Sequence, residues 1–275
     1  MIIRSKNFNI QQIADSGQCF RMNKISTNKY SLISYGKYIE LTQLDNEHVE
    51  INCSIEDYEQ TWKEYFDLDY DYSVIVDTLI KGKDEFLKQA ANFGSGLRIV
   101  RQEPFEALIS FIISQNKNIP AIKRSIEKLS KQFGELKINN KCGGVSYYSF
   151  PTPDALANAD KESLRQAGIG YRDKYVIEAS QAVLNGTINL TELKKCEYEK
   201  TLKKLKSLCG VGDKVASCIA LYGLHNVDAV PVDVWIARVL REIYNNEFNW
   251  DKYKGYAGIV QQYMFYYIRN TYRIY

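Results

Sequence analysis

The chain has 275 residues, with 36 Lys plus Arg against 33 Asp plus Glu, a net charge of +3. That small surplus excludes a histone-like polyelectrolyte but leaves room for a local basic face. With 45% hydrophobic and 25% charged residues, the chain is globular in composition and long enough for one large domain or two packed ones.

No run approaches the roughly 18 apolar residues of a membrane span. The start lacks the long apolar stretch and small-residue cleavage site of a signal peptide, so a cytoplasmic protein without membrane contact is expected. Up to about residue 60 the pattern is β. Ile39 and Leu41 fall on one face and Tyr38, Glu40 and Thr42 on the other, with turns at Gly36-Lys37 and Asp45-Asn46 and a further strand at Val49 and Ile51. From Ile55 the period becomes helical, with Tyr58, Trp62 and Tyr65 on one face. Pro104 opens an apolar helix carrying Phe105, Leu108, Ile109, Ile112 and Ile113. The next helix carries Ile119, Ile122, Ile126, Leu129 and Phe133 and stops at Gly134. Cys142 to Pro153, with paired glycines and two prolines, reads as a loop, and helical patterns run from there to the C-terminus. The order predicts an α+β protein: an N-terminal antiparallel sheet lobe with the first helices over residues 1–103, packed on a mostly helical body over 104–275.

The six cysteines (Cys19, Cys53, Cys142, Cys196, Cys209 and Cys218) contain no C-x-x-C pair, and only His48 and His225 are available to join them. Reduced thiols, no metal site and no cofactor are expected. Seven of the 21 tyrosines lie between Tyr253 and Tyr275. Core packing accounts for most such residues, though tyrosines also suit surfaces that stack on bases.

The most informative stretch is 205–219. A helix ends in Leu205 and Leu208, a Gly210-Val211-Gly212 turn follows, and a second helix turns Ala216 and Ile219 inward. Glycines there permit positive φ and close approach of another backbone, and the exposed N–H groups at the second helix's start form a cradle for a phosphate. The turn alone fits a connection needed only for packing. Its setting favours a phosphate contact: seven lysines face three acids between Lys194 and Lys214, a local surplus larger than that of the whole chain.

Lys214 opens the second helix. The positive helix end and neighbouring cations favour a neutral amine there, and Asp213 opposes them. A neutral lysine is a nucleophile that can form a Schiff base with a sugar C1′. Nineteen residues later, Val230-Pro231-Val232-Asp233-Val234 places Asp233 to cap the next helix. With Val230, Val232 and Val234 making its surroundings apolar, such a carboxylate can also stabilise positive charge developing on a ribose.

The hairpin, Lys214 and Pro231-Val232-Asp233 together resemble the helix-hairpin-helix, Gly/Pro-rich loop and aspartate superfamily of DNA glycosylases. No cysteine follows Cys218, so the four clustered cysteines of the iron–sulfur branches are missing. Four further motifs are similar to those of 8-oxoguanine DNA glycosylases: Ser16-Gly17-Gln18-Cys19-Phe20-Arg21, Gln115-Asn116-Lys117-Asn118-Ile119, Gly168-Ile169-Gly170-Tyr171-Arg172 and Tyr256-Ala257-Gly258-Ile259-Val260-Gln261. They span nearly the whole chain in the family's order.

The resemblance implies a bifunctional glycosylase and abasic-site lyase acting on double-stranded DNA that contains 8-oxoguanine, working as a monomer. It implies attack by Lys214 with Asp233 stabilising charge, and a Gly17 carbonyl accepting the N7–H that only the oxidised base carries. It also places Phe265 and Cys218 on either side of the flipped base and Gln261 on its Watson–Crick edge. Asn116 would fill the vacated stack, Tyr171 wedge beside the orphaned partner, Arg172 hydrogen-bond to cytosine, and Gly210 and Gly212 contact the DNA backbone. Two departures stand out. Ala121 occupies the position of a second cytosine-reading arginine of animal and fungal members, which predicts weaker discrimination for the opposite base, and Trp235 replaces a histidine of the animal members. Two rivals remain. A glycosylase of the alkylated-base branch uses water and needs no amine such as Lys214, and a non-catalytic hairpin module leaves Asp233 and the Gly17 and Gln261 motifs without a purpose.

Overall fold

The computed structural model describes residues 1–272. Five strands form one antiparallel sheet: β1 (Ile2–Arg4), β2 (Met22–Ser26), β3 (Lys29–Ser34), β4 (Lys37–Gln43) and β5 (His48–Ile51), in the order β1-β5-β4-β3-β2. The alternation read from the sequence sets its faces. Leu32, Ile39, Leu41, Val49 and Ile51 turn to one side and bury against the helix Ile10–Asp15 and the helical segment that starts at Ile55, where Trp62, Tyr65 and Phe66 close the core. Tyr38 points to the opposite face and is also buried.

What covers Tyr38 is a second hairpin, β6 (Leu136–Asn139) and β7 (Val145–Tyr148), whose Tyr147 ring lies 5.6 Å from that of Tyr38. The loop expected from Cys142 to Pro153 therefore contains a strand, Val145–Tyr148. Its paired glycines are the turn: Gly143 and Gly144 both have φ above +70°, and β7 follows them directly.

The helical body is built around Pro104–Ser114, a helix buried on nearly every side. It packs on the helix Asp213–Tyr222, with the Phe111 and Tyr222 rings stacked at 5.4 Å and 21°, and on Ile119–Phe133 and Asp173–Leu184. The early helices Ser73–Lys81 and Glu85–Phe93 bury Ile75, Leu79, Leu87 and Ala90 in this same body; Glu85–Phe93 packs on the C-terminal helix Ala257–Thr271, and Ser73–Lys81 packs on Glu85–Phe93. In packing they belong with the helices, whereas the sequence reading grouped them with the sheet. The chain then returns through 94–103 to the sheet lobe. There the buried Arg98 donates to the carbonyls of Lys6, Asn7, Asp67 and Tyr70 and lies 4.6 Å over the Tyr72 ring. Among the described residues no helix is long and apolar enough to cross a membrane, and no cluster of His, Cys, Asp and Glu could hold a metal ion.

Candidate active site

The two lobes meet at a cavity of about 360 Å³. The sheet lobe contributes the loop with Gly17 and Phe20, and the body contributes Phe111, Ile119, Lys214, Asp233, Trp235, Phe265 and Arg269. Lys214 sits in the first turn of Asp213–Tyr222, half-buried, its Nζ 5.8 Å from the centre of the Phe111 ring. The hairpin forms as expected, with Leu205, Leu208, Ala216 and Ile219 buried on its inner side. Only Gly210 uses positive φ (+77°), and a Cβ there would also come within 2.5 Å of the Tyr175 ring. Gly212 is extended, and a Cβ there would meet open space.

Asp233 does cap Val234–Glu242: its Oδ1 accepts from the N–H groups of Trp235 at 3.0 Å and Ile236 at 2.9 Å. Burial raises the carboxyl pKa above that of an ordinary aspartate, while those N–H groups and the Lys214 amine pull the other way. Of the three expected valines Val234 lines the cavity, though it is 80% exposed, and Val232 is 43% exposed; most of the apolar wall is the rings of Phe20, Phe111, Trp235 and Phe265 with Ile119.

Gly17 faces Lys214 across the cavity with φ +75°. A Cβ there would lie 3.1 Å from Ile119 Cδ1 and 3.6 Å from Phe265 Cε1, so a side chain at this position would both strain the backbone and intrude into the cavity. Gln261 and Cys218 stand behind the lining. Gln261 Nε2 donates to the Pro231 carbonyl at 3.0 Å, and its buried Oε1 has no partner among the described residues. Cys218 lies one turn beyond Lys214, 3% exposed, its thiol pushed up by burial and eased by the Lys214 amine.

Residues 1–108 match the family model described as 8-oxoguanine DNA glycosylase, N-terminal domain, and residues 109–256 match that of the HhH-GPD superfamily base excision DNA repair proteins. The chain belongs to the 8-oxoguanine DNA glycosylase family. The N-glycosylase/DNA lyase of Saccharomyces cerevisiae is 34% identical, over 90% of this chain and 72% of the yeast protein. A probable N-glycosylase/DNA lyase of Methanothermobacter thermautotrophicus is 31% identical, over 75% and 73% of the two chains. The solved 8-oxoguanine glycosylase/lyase of Clostridium acetobutylicum, bound to duplex DNA with cytosine opposite 8-oxoguanine, superposes with a TM-score of 0.89 at 34% identity, over 98% of both chains.

In this family member the second group of expected DNA contacts lies together at the far ends of two turns. Asn116 adopts φ +49° after Pro104–Ser114, and its Nδ2 donates to the Tyr171 hydroxyl at 3.2 Å. Tyr171 is 53% exposed and its ring lies 4.3 Å under the Arg172 guanidinium. Arg172 itself is turned inward, donating to the carbonyls of Ile169 and Gln115, and is only 5% exposed. Lys117 joins the two turns by donating to Ser125 Oγ and the Gly168 carbonyl; burial and the nearby Arg172 lower its pKa. Lys117, Arg269, Phe20 and Phe111 line the cavity although the sequence reading assigned them no part in it. The signal for Phe111 was present in the apolar helix, where an aromatic at the open end is indistinguishable from core.

Proposed function

We infer that this 8-oxoguanine glycosylase and DNA lyase works by flipping the damaged nucleotide into the cavity between its lobes. The observation that carries the reading is the convergence of Lys214, Asp233 and Gly17 on one cavity from three separate parts of the chain.

The hairpin N–H groups around Gly212 hold a backbone phosphate, and the Gly17 carbonyl accepts the N7–H of the lesion, which guanine lacks. Phe265 packs on the base and the free Oε1 of Gln261 accepts from its Watson–Crick edge. The Lys214 amine nitrogen bonds through its lone pair to C1′ as the C1′–N9 bond breaks, and the electron pair leaves with the base, which takes up a proton. Ionised Asp233 stabilises the positive charge that develops on the sugar. Loss of an amine proton and opening of the C1′–O4′ bond give a protonated Schiff base. Removal of a C2′ proton then expels the 3′ phosphate, and water releases Lys214. Every group comes from one chain, which fits a monomer as the working unit. With Ala121 in place of a second arginine, the opposite base is read through Arg172 and shape alone.

The test is incubation with a duplex carrying one 8-oxoguanine. Free 8-oxoguanine and a strand cut at the lesion, without added base or heat, are expected, and an undamaged guanine at the same site is left intact. A duplex bound but unchanged contradicts the reading.

A further inference from the structure

Gly17 carries no side chain by which it could be held, yet the discrimination ascribed to it depends on where its carbonyl points. The two carbonyls that flank it are each pinned. Ser16 O accepts from Gln262 Nε2 at 3.0 Å, and Gln18 O accepts from Gln102 Nε2 at 2.7 Å. Both amides in turn meet Tyr222. The Tyr222 hydroxyl donates to Gln262 Oε1, and the Tyr222 carbonyl accepts from Gln102 Nε2 at 3.5 Å and from the Gln102 backbone N–H at 3.1 Å. Gln262 is fully buried, and Gln102 and Tyr222 are each 5% exposed, so water offers these groups no alternative partner. Tyr222 is the last residue of the helix that begins beside Lys214.

We propose that Tyr222, Gln262 and Gln102 form a positioning strap that fixes the Gly17 carbonyl relative to Lys214, so that lesion recognition and the nucleophile are held in one rigid frame. None of the three lines the cavity, and they act through Gly17. The geometry of the strap explains a choice of residues that packing does not. An amide is needed at 262 because one end accepts from a hydroxyl and the other donates to a carbonyl; leucine does neither, and glutamate cannot donate when ionised. A displacement of about 1 Å at the recognition carbonyl is enough to cost on the order of a hundredfold in rate.

The inference rests on the glycosylase reading above, and its test separates the two. A pre-formed abasic duplex has no base for Gly17 to recognise but still needs Lys214. Base release from an 8-oxoguanine duplex and scission of an abasic duplex are therefore measured under single turnover for the wild type, Gln262→Leu and Tyr222→Phe. Tyr222→Phe keeps the ring stacked on Phe111 and removes only the hydroxyl, which covers the case in which Gln262→Leu fails to fold. The expected result is at least a tenfold loss of base release for Gln262→Leu and a smaller loss for Tyr222→Phe, with abasic scission within about twofold of wild type. An equal fall in both activities assigns the strap a purely structural role and overturns the proposal, as does unchanged base release in a folded variant. A wild type that releases no 8-oxoguanine overturns the glycosylase reading instead.

Discussion

Gln261 donates its amide N–H to the carbonyl of Pro231 at 3.0 Å, which fixes the orientation of the side chain and leaves its Oε1 buried without a partner among the described residues. An orphaned buried acceptor is costly, and it becomes favourable when a ligand brings the missing donor. Pro231 lies two residues before Asp233, so a single side chain, the one proposed to meet the base, is tied to the loop carrying the carboxylate.

Replacing Gln261 with Leu removes that acceptor and strands the Pro231 carbonyl. Release of 8-oxoguanine is expected to fall by roughly 5- to 150-fold, corresponding to about 1–3 kcal/mol for a lost buried hydrogen bond. Single-turnover base release checks this, and an unchanged rate would remove Gln261 from base recognition.

Asp233 caps a helix and, in the proposed mechanism, also stabilises charge on the sugar, and substitution can separate the two. Asn caps a helix as well as Asp does, so Asp233→Asn should leave the thermal midpoint nearly unchanged while base release falls by on the order of a hundredfold or more. Asp233→Ala should lose activity to the same extent and, in addition, about 1 kcal/mol of stability. Because burial raises this carboxyl pKa and the ionised form is the one required, activity in the wild type should fall on the acid side at a higher pH than the 3.8 of an ordinary aspartate. A pH–rate profile flat down to that value would contradict the assignment.

The parts of the site legible in the sequence are those whose chemistry is tied to residue type: an amine at a helix start, a carboxylate at a cap, glycines where backbones approach a ligand. The buried amides were not legible. Gln18, Gln102 and Gln262 read as ordinary polar residues, and only the fold shows that they are enclosed and paired with main-chain groups far along the chain. The same limit hid the β6–β7 hairpin, since Leu136 and Ile138 are about 60% exposed and leave no buried stripe to read. Nor does sequence order reveal that Glu85–Phe93 packs on the C-terminal helix, because the two are far apart along the chain, 178 residues between Gln89 and its partner Tyr267.

Ala121 offers no group to cytosine, and Arg172 spends two of its N–H donors on the carbonyls of Ile169 and Gln115. One bidentate reader contributes about 1–3 kcal/mol of discrimination between bases, so its loss should compress the preference for cytosine by roughly 5- to 150-fold relative to animal enzymes. Cleavage of 8-oxoguanine opposite each of the four bases measures this directly. A cytosine preference equal to theirs would show that Arg172 and shape suffice.

Glu106 is enclosed within Pro104–Ser114, and burial pushes its carboxyl up to about 8, against the pull of Arg21. The folded state then keeps a proton that the unfolded chain releases above its ordinary 4.5, so stability is fully present below that pH and declines as pH rises towards 8. The slope is at most about 1.4 kcal/mol per pH unit in that window. Urea midpoints at pH 5, 6.5 and 8 should therefore show the wild type losing more stability than Glu106→Gln as pH rises. Parallel losses in the two proteins would mean that Glu106 does not hold the proton.

The amine mechanism makes Lys214 the one residue bonded to the substrate. Borohydride reduction during reaction with a duplex bearing one 8-oxoguanine opposite cytosine should trap a covalent protein–DNA complex in the wild type and none in Lys214→Gln. The variant should bind the same duplex and keep its fold, because Lys214 is half-buried at a helix start and its hydrogen-bonding neighbour there is the Cys218 thiol, a weak partner. Base release by the wild type without a trapped complex, or a complex that persists in Lys214→Gln, would contradict the account.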